Sequence, residues 1–206
     1  MRIALFGGSF NPPHLGHVGF CRLLLEGGSP QPPHPGKERE GEKGSEQPEG
    51  ERLPAIEAVW MIPCYTHPFG KPLAPFEDRL AMCERAIPGE LTGRIVVSAV
   101  EAEIRTGRTI DLIRHLLGRH PEHTFFFAVG SDILDEVHRW KDFGEIRALV
   151  PLIVIPRVGW EKGGAHAPLP DIRSREIRRR IAAGEPYRDL VPPAVADYIE
   201  ERGLYR

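Results

Sequence analysis

The chain has 206 residues, with 27 Lys and Arg against 29 Asp and Glu for a formal net charge of -2. That length suits one domain with a buried core, and the charge balance excludes the global positive excess that draws nucleic acid non-specifically. Cys21, Cys64 and Cys83 show no C-x-x-C spacing and fit a reduced, cytoplasmic compartment, while no apolar run is long enough for a signal peptide or a membrane span.

The chain opens on an apolar run, 2–6, that reads as a strand and stops at Gly7-Gly8. A helix is predicted over 17–26. Residues 27–52 then break the rhythm, because Gly, Pro, Glu and Lys dominate and no apolar side chain occurs before Leu53. Such a segment cannot bury enough surface to offset its ordering entropy. It reads as a disordered surface insertion, with a lid or partner-binding arm as the functional alternative.

Further strands are predicted over 58–62, 95–100, 124–129 and 149–155, and helices over 76–86, 109–117, 174–183 and 192–202. Phe76, Leu80, Cys83 and Ile87 recur at helical spacing, and Gly118, Gly184 and Gly203 stand where helix C-caps belong. Near-continuous apolar strands such as 124–129 imply a sheet covered on both faces. The alternation of strand and helix implies an α/β fold with a doubly wound parallel sheet of five or six strands and helices on both faces. The whole chain reads as one domain, with 171–206 as a small C-terminal helical part.

The most informative string is Gly7-Gly8-Ser9-Phe10-Asn11-Pro12-Pro13-His14-Leu15-Gly16-His17, which follows the first strand and opens the first helix. Glycines let backbone approach a ligand, and a helix start offers N–H groups and a positive dipole end to an anion. His14 and His17, three residues apart, would share one helix face and converge on the same phosphate oxygens. A zinc half-site would need further ligands that the local spacing lacks, and a purely structural turn would explain Asn-Pro-Pro but not the histidines. Neither G-x-x-x-x-G-K-S/T nor G-x-G-x-x-G is present.

This string resembles the signature of the nucleotidyltransferase superfamily in its nicotinate-nucleotide adenylyltransferase form. Trp60-Met61-Ile62-Pro63 with His67-Pro68-Phe69-Gly70-Lys71 is similar to the family's second-strand segment ending in Pro-Pro-His-Lys. Gly130-Ser131-Asp132 with Trp140 resembles its G-A-D…W element, and the stretch from Pro192 to Tyr205 resembles its C-terminal helix. The resemblance covers nearly the whole chain apart from 27–52 and implies a Rossmann-like sheet. It also implies transfer of the adenylyl group of ATP to nicotinate mononucleotide, giving deamido-NAD and pyrophosphate.

From the resemblance, His14, His17, Lys71 and Arg178 would be the catalytic cations and donors, with His17 as the preferred transition-state donor. Doing so from both nitrogens would require a protonated ring, and the balance between phosphates raising its pKa and the helix start lowering it stays open. Gly7, Gly8, Ser9, Phe10, Asn11, Gly130, Asp132 and Ser174 would form the ATP site, with Asp132 on a ribose hydroxyl; the plain alternative for Asp132 is a helix N-cap. Arg108, Thr109 and Trp140 would meet the mononucleotide, Trp140 by stacking, although an aromatic at helical spacing also suits a core. Lys71 as a solvated loop residue and Arg178 as surface charge are the corresponding alternatives. Mg2+ would arrive on the ATP phosphates, with no protein metal ligand. Partners are small molecules, ATP and nicotinate mononucleotide, without nucleic acid or membrane, and a homo-oligomer is compatible with the reading.

Two departures stand out. The family's Ile-Ser-Ser-Thr-x-Ile-Arg appears as Ile172-Arg173-Ser174-Arg175-Glu176-Ile177-Arg178, and its Tyr-Thr appears as Arg108-Thr109. A guanidinium at Arg108 could pair with the carboxylate of nicotinate and disfavour the amide. The rival readings are transfer to another phosphate acceptor, such as nicotinamide mononucleotide or phosphopantetheine, and a nucleotide-binding regulator without turnover. The seven other histidines, at 34, 67, 115, 120, 123, 138 and 166, carry no assignment.

Overall fold

A computed structural model describes residues 1–27, 55–67, 70–157 and 169–206. The insertion expected over 27–52 lies, apart from Gly27, outside the described residues. In chain order the elements are β1 (Arg2–Gly8), α1 (Leu15–Leu25), β2 (Ala58–Pro63), α2 (Phe76–Arg85), β3 (Ile95–Val97), α3 (Glu101–Ile104), α4 (Thr109–Arg119), β4 (Thr124–Gly130), α5 (Phe143–Leu149), β5 (Leu152–Ile155), α6 (Ser174–Ala183) and α7 (Pro193–Arg202).

Five strands form one sheet in the order β3-β2-β1-β4-β5, and each adjacent pair is parallel. Side chains alternate across it, as a period of two requires. Ala4, Phe6, Phe126 and Ala128 pack on one face with Phe20, Cys21, Leu24 and Leu25 of α1. Ile3, Leu5, Phe125 and Phe127 pack on the other with Ile110, Ile113 and Leu116 of α4 and Ile146 of α5. The doubly wound expectation therefore holds, with five strands among the described residues. A third apolar cluster joins Met82 of α2, Ile177 of α6 and Val195, Ala196 and Ile199 of α7, which docks the C-terminal helices on the outside of α2.

Several boundaries differ from those predicted. The run predicted as a strand over 149–155 begins as the last residue of α5, and only Leu152–Ile155 pairs with β4. Pro151, which has no N–H for a ladder, separates the two. The strand over 95–100 shortens to three residues and leads into α3, which was not foreseen. Gly118 is not a cap, because α4 continues to Arg119, whereas Gly184 and Gly203 end α6 and α7 at φ 67° and 60°.

The order of the strands matters for function. Connections run outward from β1 to β2 and β3, then cross back to β4 and out to β5. The carboxyl ends of β1 and β4 thus diverge at a topological switch point, where open α/β sheets form their ligand crevice.

Candidate active site

A cavity of about 590 Å³ opens at that point, within the range of small-molecule sites. Gly7, Gly8 and Ser9 form its β1 side, Gly130 and Asp132 its β4 side, and Lys71, Arg108, Thr109 and Trp140 its rim. Of the residues the sequence singled out, Phe10, Asn11, Ser174 and Arg178 do not line it.

Their positions show why. Phe10 is buried beneath the loop at φ 44°, edge-on to Phe6 at 5.3 Å and to His17 at 4.9 Å. A Cβ on Gly8 would lie 3.1 Å from the Phe10 ring, so glycine there accommodates the protein's own phenyl group. At Gly7 the nearest such contact is 4.0 Å, which leaves room for a ligand.

Asn11 is buried and works as a clamp. Its side-chain oxygen accepts the Ala74 N–H at 3.1 Å and the Tyr205 hydroxyl at 2.8 Å, while its carbonyl accepts Arg178 Nη1 at 2.6 Å. Ser174 Oγ donates to the Pro12 carbonyl at 2.9 Å. Asn11, Ser174 and Arg178, expected at the nucleotide, tie the β1–α1 loop to α6, Ala74 and Tyr205. The reason is local satisfaction, since a turn's unpaired carbonyls are strong acceptors and α6 lies directly against them. Arg173, the substituted position, pairs instead with Asp171 at 3.0 Å.

Sequence reasoning missed a second brace. Arg79 of α2 is 1% exposed and donates to three carbonyls, those of Ser9 and Ala74 at 3.0 Å and of Tyr65 at 3.2 Å. It ties the β1 loop to the β2 loop, and nothing in a helical pattern marks it.

His14 immediately precedes α1, and its ring stacks on that of His17 with centroids 3.7 Å apart and planes 23° off parallel. The His14 N–H donates to His17 Nδ1 at 3.1 Å. Nδ1 therefore presents a lone pair, and a neutral His17 carries its proton on Nε2. Burial pushes His14 down to about 3, helped by the Arg157 guanidinium, and burial with the neighbouring His14 and Arg157 holds His17 well below its ordinary value. The ligand-free site holds two neutral imidazoles, and protonating His17 at Nδ1 would cost the His14 bond.

Positive charge comes from elsewhere. Arg157, two residues beyond β5, lines the cavity and donates from Nη1 to Asp132 Oδ2 at 2.9 Å. Its N–H donates to Ser131 Oγ at 3.0 Å. The sequence reading overlooked it, although a residue just past a strand's carboxyl end sits where such sheets bind ligands. Asp132 makes no N-cap bond. Its Oδ1 is buried with no hydrogen-bond partner among the described residues. A Cβ at Gly130 would lie 2.4 Å from that oxygen and 2.7 Å from Arg157 Cδ, so the pair requires glycine there.

On the opposite wall, Arg108 precedes α4 and Thr109 opens it. His67 also lines the cavity, where burial and nearby Lys71 lower its pKa against the pull of Glu136. Trp140 packs on Phe127 at 5.9 Å and Phe143 at 6.0 Å while still facing the cavity, so the core and ligand-facing readings both apply. Buried Glu101 lines the same wall with Oε2 unpartnered among the described residues, and burial raises its pKa. Lys71, Arg108, Arg139, Lys141 and Arg157 outnumber the acidic lining residues Glu101, Asp132 and Glu136. A chain of net charge -2 thus concentrates cations where strand ends and a helix start converge.

Comparison with known proteins agrees with this geometry. A cytidylyltransferase-like family model matches residues 25–180. A protein of Anaeromyxobacter sp. (strain K) named "probable nicotinate-nucleotide adenylyltransferase" is 39% identical, the match covering 99% of this chain and 96% of the relative. One of Myxococcus xanthus (strain DK1622) with the same name is 35% identical over 100% and 95%. In fold, the chain is similar to a Plasmodium falciparum nicotinic acid mononucleotide adenylyltransferase complexed with APC, with a TM-score of 0.74 at 19% identity over 99% of this chain and 96% of that one. The same enzyme complexed with NaAD gives a TM-score of 0.72 over 99% and 97%.

Proposed function

The chain belongs to the cytidylyltransferase-like family and groups with its nicotinate-nucleotide adenylyltransferases, and from that premise we propose the reaction it performs and the residues that carry it. It transfers the adenylyl group of ATP to nicotinate mononucleotide. An oxygen of the mononucleotide's phosphate attacks the α-phosphorus, the bond to the β-phosphate's bridging oxygen breaks, and deamido-NAD and pyrophosphate result. The observation that carries this reading is the cation-rich cavity at the β1/β4 switch point, walled by the glycine loop and by His17 with Nε2 as its donor.

No group on the protein needs to become covalently attached, so catalysis rests on placing two anions together and holding the charge that moves onto the leaving pyrophosphate. The start of α1 and the backbone of Gly7 to Ser9 receive the triphosphate. His17 Nε2–H donates to a phosphate oxygen, and the His14 N–H on Nδ1 keeps that tautomer. A neutral donor suits the start of a helix, where an imidazolium would oppose the dipole. Lys71 and Arg157 supply the mobile and fixed positive charges, respectively. Asp132 Oδ1 accepts an adenosine ribose hydroxyl, which gives its orphaned oxygen a partner. Trp140 offers a flat face to the pyridine ring, and Arg108 pairs with the nicotinate carboxylate. Ser174, Asn11 and Arg178 hold the loop in the shape that receives the phosphates.

The family chemistry also calls for Mg2+. Among the described residues no three His, Cys, Asp or Glu side chains converge in the cavity to cage an ion, and the cationic lining fits one that arrives on the triphosphate. Bound there, Mg2+ would neutralise phosphate charge. No helix among the described residues is long and apolar enough to cross a membrane, and three unpaired thiols suit cytoplasmic work.

Pyrophosphate release from ATP, measured with nicotinate mononucleotide, nicotinamide mononucleotide and phosphopantetheine in parallel, tests the assignment. The acid mononucleotide should give the highest kcat/KM. Turnover with phosphopantetheine alone, or tight ATP binding without release on any acceptor, would overturn it.

A further inference from the structure

Beyond the carboxyl end of α4 the chain makes a tight turn, His120-Pro121-Glu122-His123, just before β4. The His123 N–H donates to the His120 carbonyl at 3.1 Å, and proline at the second position fixes the φ such a turn needs. The two imidazoles stand parallel within 4°, with centroids 5.6 Å apart. Glu122 reaches between them: Oε1 lies 3.4 Å from His120 Nδ1 and 3.4 Å from His123 Nε2. One nitrogen from each ring and one carboxylate oxygen all fall within 4.8 Å of one another.

A separation of 3.4 Å is long for a charge-assisted hydrogen bond, which prefers about 2.7–2.9 Å. It does match the edge of a tetrahedron, about 3.4 Å, around an ion whose ligands stand at about 2.0–2.1 Å. The rings are backed by aromatics. Trp60 meets His120 and His123 edge-on at 5.2 and 6.1 Å, and Phe125 meets His123 at 6.0 Å. Glu122 faces solvent, which leaves an approach path and room for water.

We propose that this turn binds one divalent first-row transition metal ion of the zinc class through His120 Nδ1, Glu122 Oε1 and His123 Nε2, with water completing the shell. Two imidazoles and a carboxylate favour Zn2+ over the all-oxygen preferences of Ca2+ and Mg2+. The site lies at the amino end of β4, whereas the cavity lies at its carboxyl end. The ion therefore acts on the α4–β4 connection rather than on substrate, tying a helix end to the central sheet.

Equilibrium dialysis of the full chain, without an affinity tag, against zinc chloride tests this alongside Glu122→Gln and His123→Asn. The wild type should retain one zinc per chain, and each variant should bind at least about tenfold more weakly, a loss that even outer-shell changes can produce. Pyrophosphate release should be unchanged in both. Zinc should raise the wild-type Tm in a concentration-dependent way and have no such effect in the variants, since an ion bound to the folded turn stabilises it by mass action. Cobalt should give the intense visible absorption of tetrahedral coordination, lost in His123→Asn. Failure of the wild type to retain zinc, or equal retention by wild type and variants, would overturn the proposal.

Discussion

Two stretches rich in phosphate-binding residue types, 7–17 and 172–178, meet at the same turn but direct their polar side chains differently. The first presents Gly7, His14 and His17 to the cavity. The second lends Ile172 to the cavity wall and sends Ser174 and Arg178 to the carbonyls of Pro12 and Asn11. Residue type sets what a side chain can bind, but the packing of its element decides what it meets. For 7–17 that packing is local, a strand running through a turn into a helix. For 172–178 it depends on Ile177 joining the cluster with Met82 and α7, a contact between residues far apart in sequence.

The sharpest way to break this contrast is to truncate one residue in each stretch. Replacing His17 with Ala should lower kcat/KM by about 10²–10³, the cost of losing one preorganised donor to developing charge. Its stability should fall only by the scale of one lost neutral hydrogen bond, about 0.5–1.5 kcal/mol, because the His14 N–H loses its acceptor. Replacing Arg178 with Met should do the reverse, costing about 1.5–3 kcal/mol of unfolding free energy for a hydrogen bond from a charged group, with activity falling by a smaller factor as the loop loosens. Equal effects of both substitutions on kcat/KM, with neither affecting stability, would erase the distinction drawn between the two stretches.

A titration sharpens it further. His14 has a folded pKa of about 3, below the ordinary value of 6.5, so the unfolded chain binds more protons between those limits. Stability from this residue is present above pH 6.5 and lost as pH falls. Between pH 7 and pH 5 the loss should be about 2 kcal/mol, from 1.36 kcal/mol per unit over the 1.5 units below 6.5. Denaturant unfolding at the two pH values, compared with His14→Asn, checks the sign and size, and no residue of 172–178 should reproduce it. Bound triphosphate should flatten the dependence, because phosphate favours the protonated ring.

The smallest expected effect concerns the rim. Arg108→Ala should reduce the preference for nicotinate over nicotinamide mononucleotide by about tenfold, the scale of about 1.4 kcal/mol for one partly exposed ion pair. Steady-state kinetics with both substrates measures it, and an unchanged ratio would remove Arg108 from substrate selection.

Much of this was legible in the sequence where the signal was local. Apolar runs placed all five strands, and Gly7 to His17 marked the loop because a strand and a helix flank it. What escaped depends on distance along the chain. Arg79 sits within an ordinary helical pattern, yet reaches the Ser9 carbonyl 70 residues away. Arg157 becomes meaningful only once β5 is seen beside β4, with its guanidinium on Asp132. The neutral state of the histidine pair was also hidden, since it follows from the His14 N–H on Nδ1 and from burial rather than from spacing. His120 and His123 looked like scattered surface residues until the turn at Pro121 brought them together.

The central claim is that the β1–α1 turn cradles a triphosphate with a neutral His17 donating from Nε2. Imidazole NMR of the chain, with and without a non-hydrolysable ATP analogue and Mg2+, tests it most directly. The free protein should show His17 as the Nε2–H tautomer at neutral pH, the analogue should shift the His14 and His17 resonances, and the His14→Ala/His17→Ala double variant should bind the analogue at least tenfold more weakly, about 1.4 kcal/mol. Unmoved resonances together with undiminished binding by the double variant would contradict it.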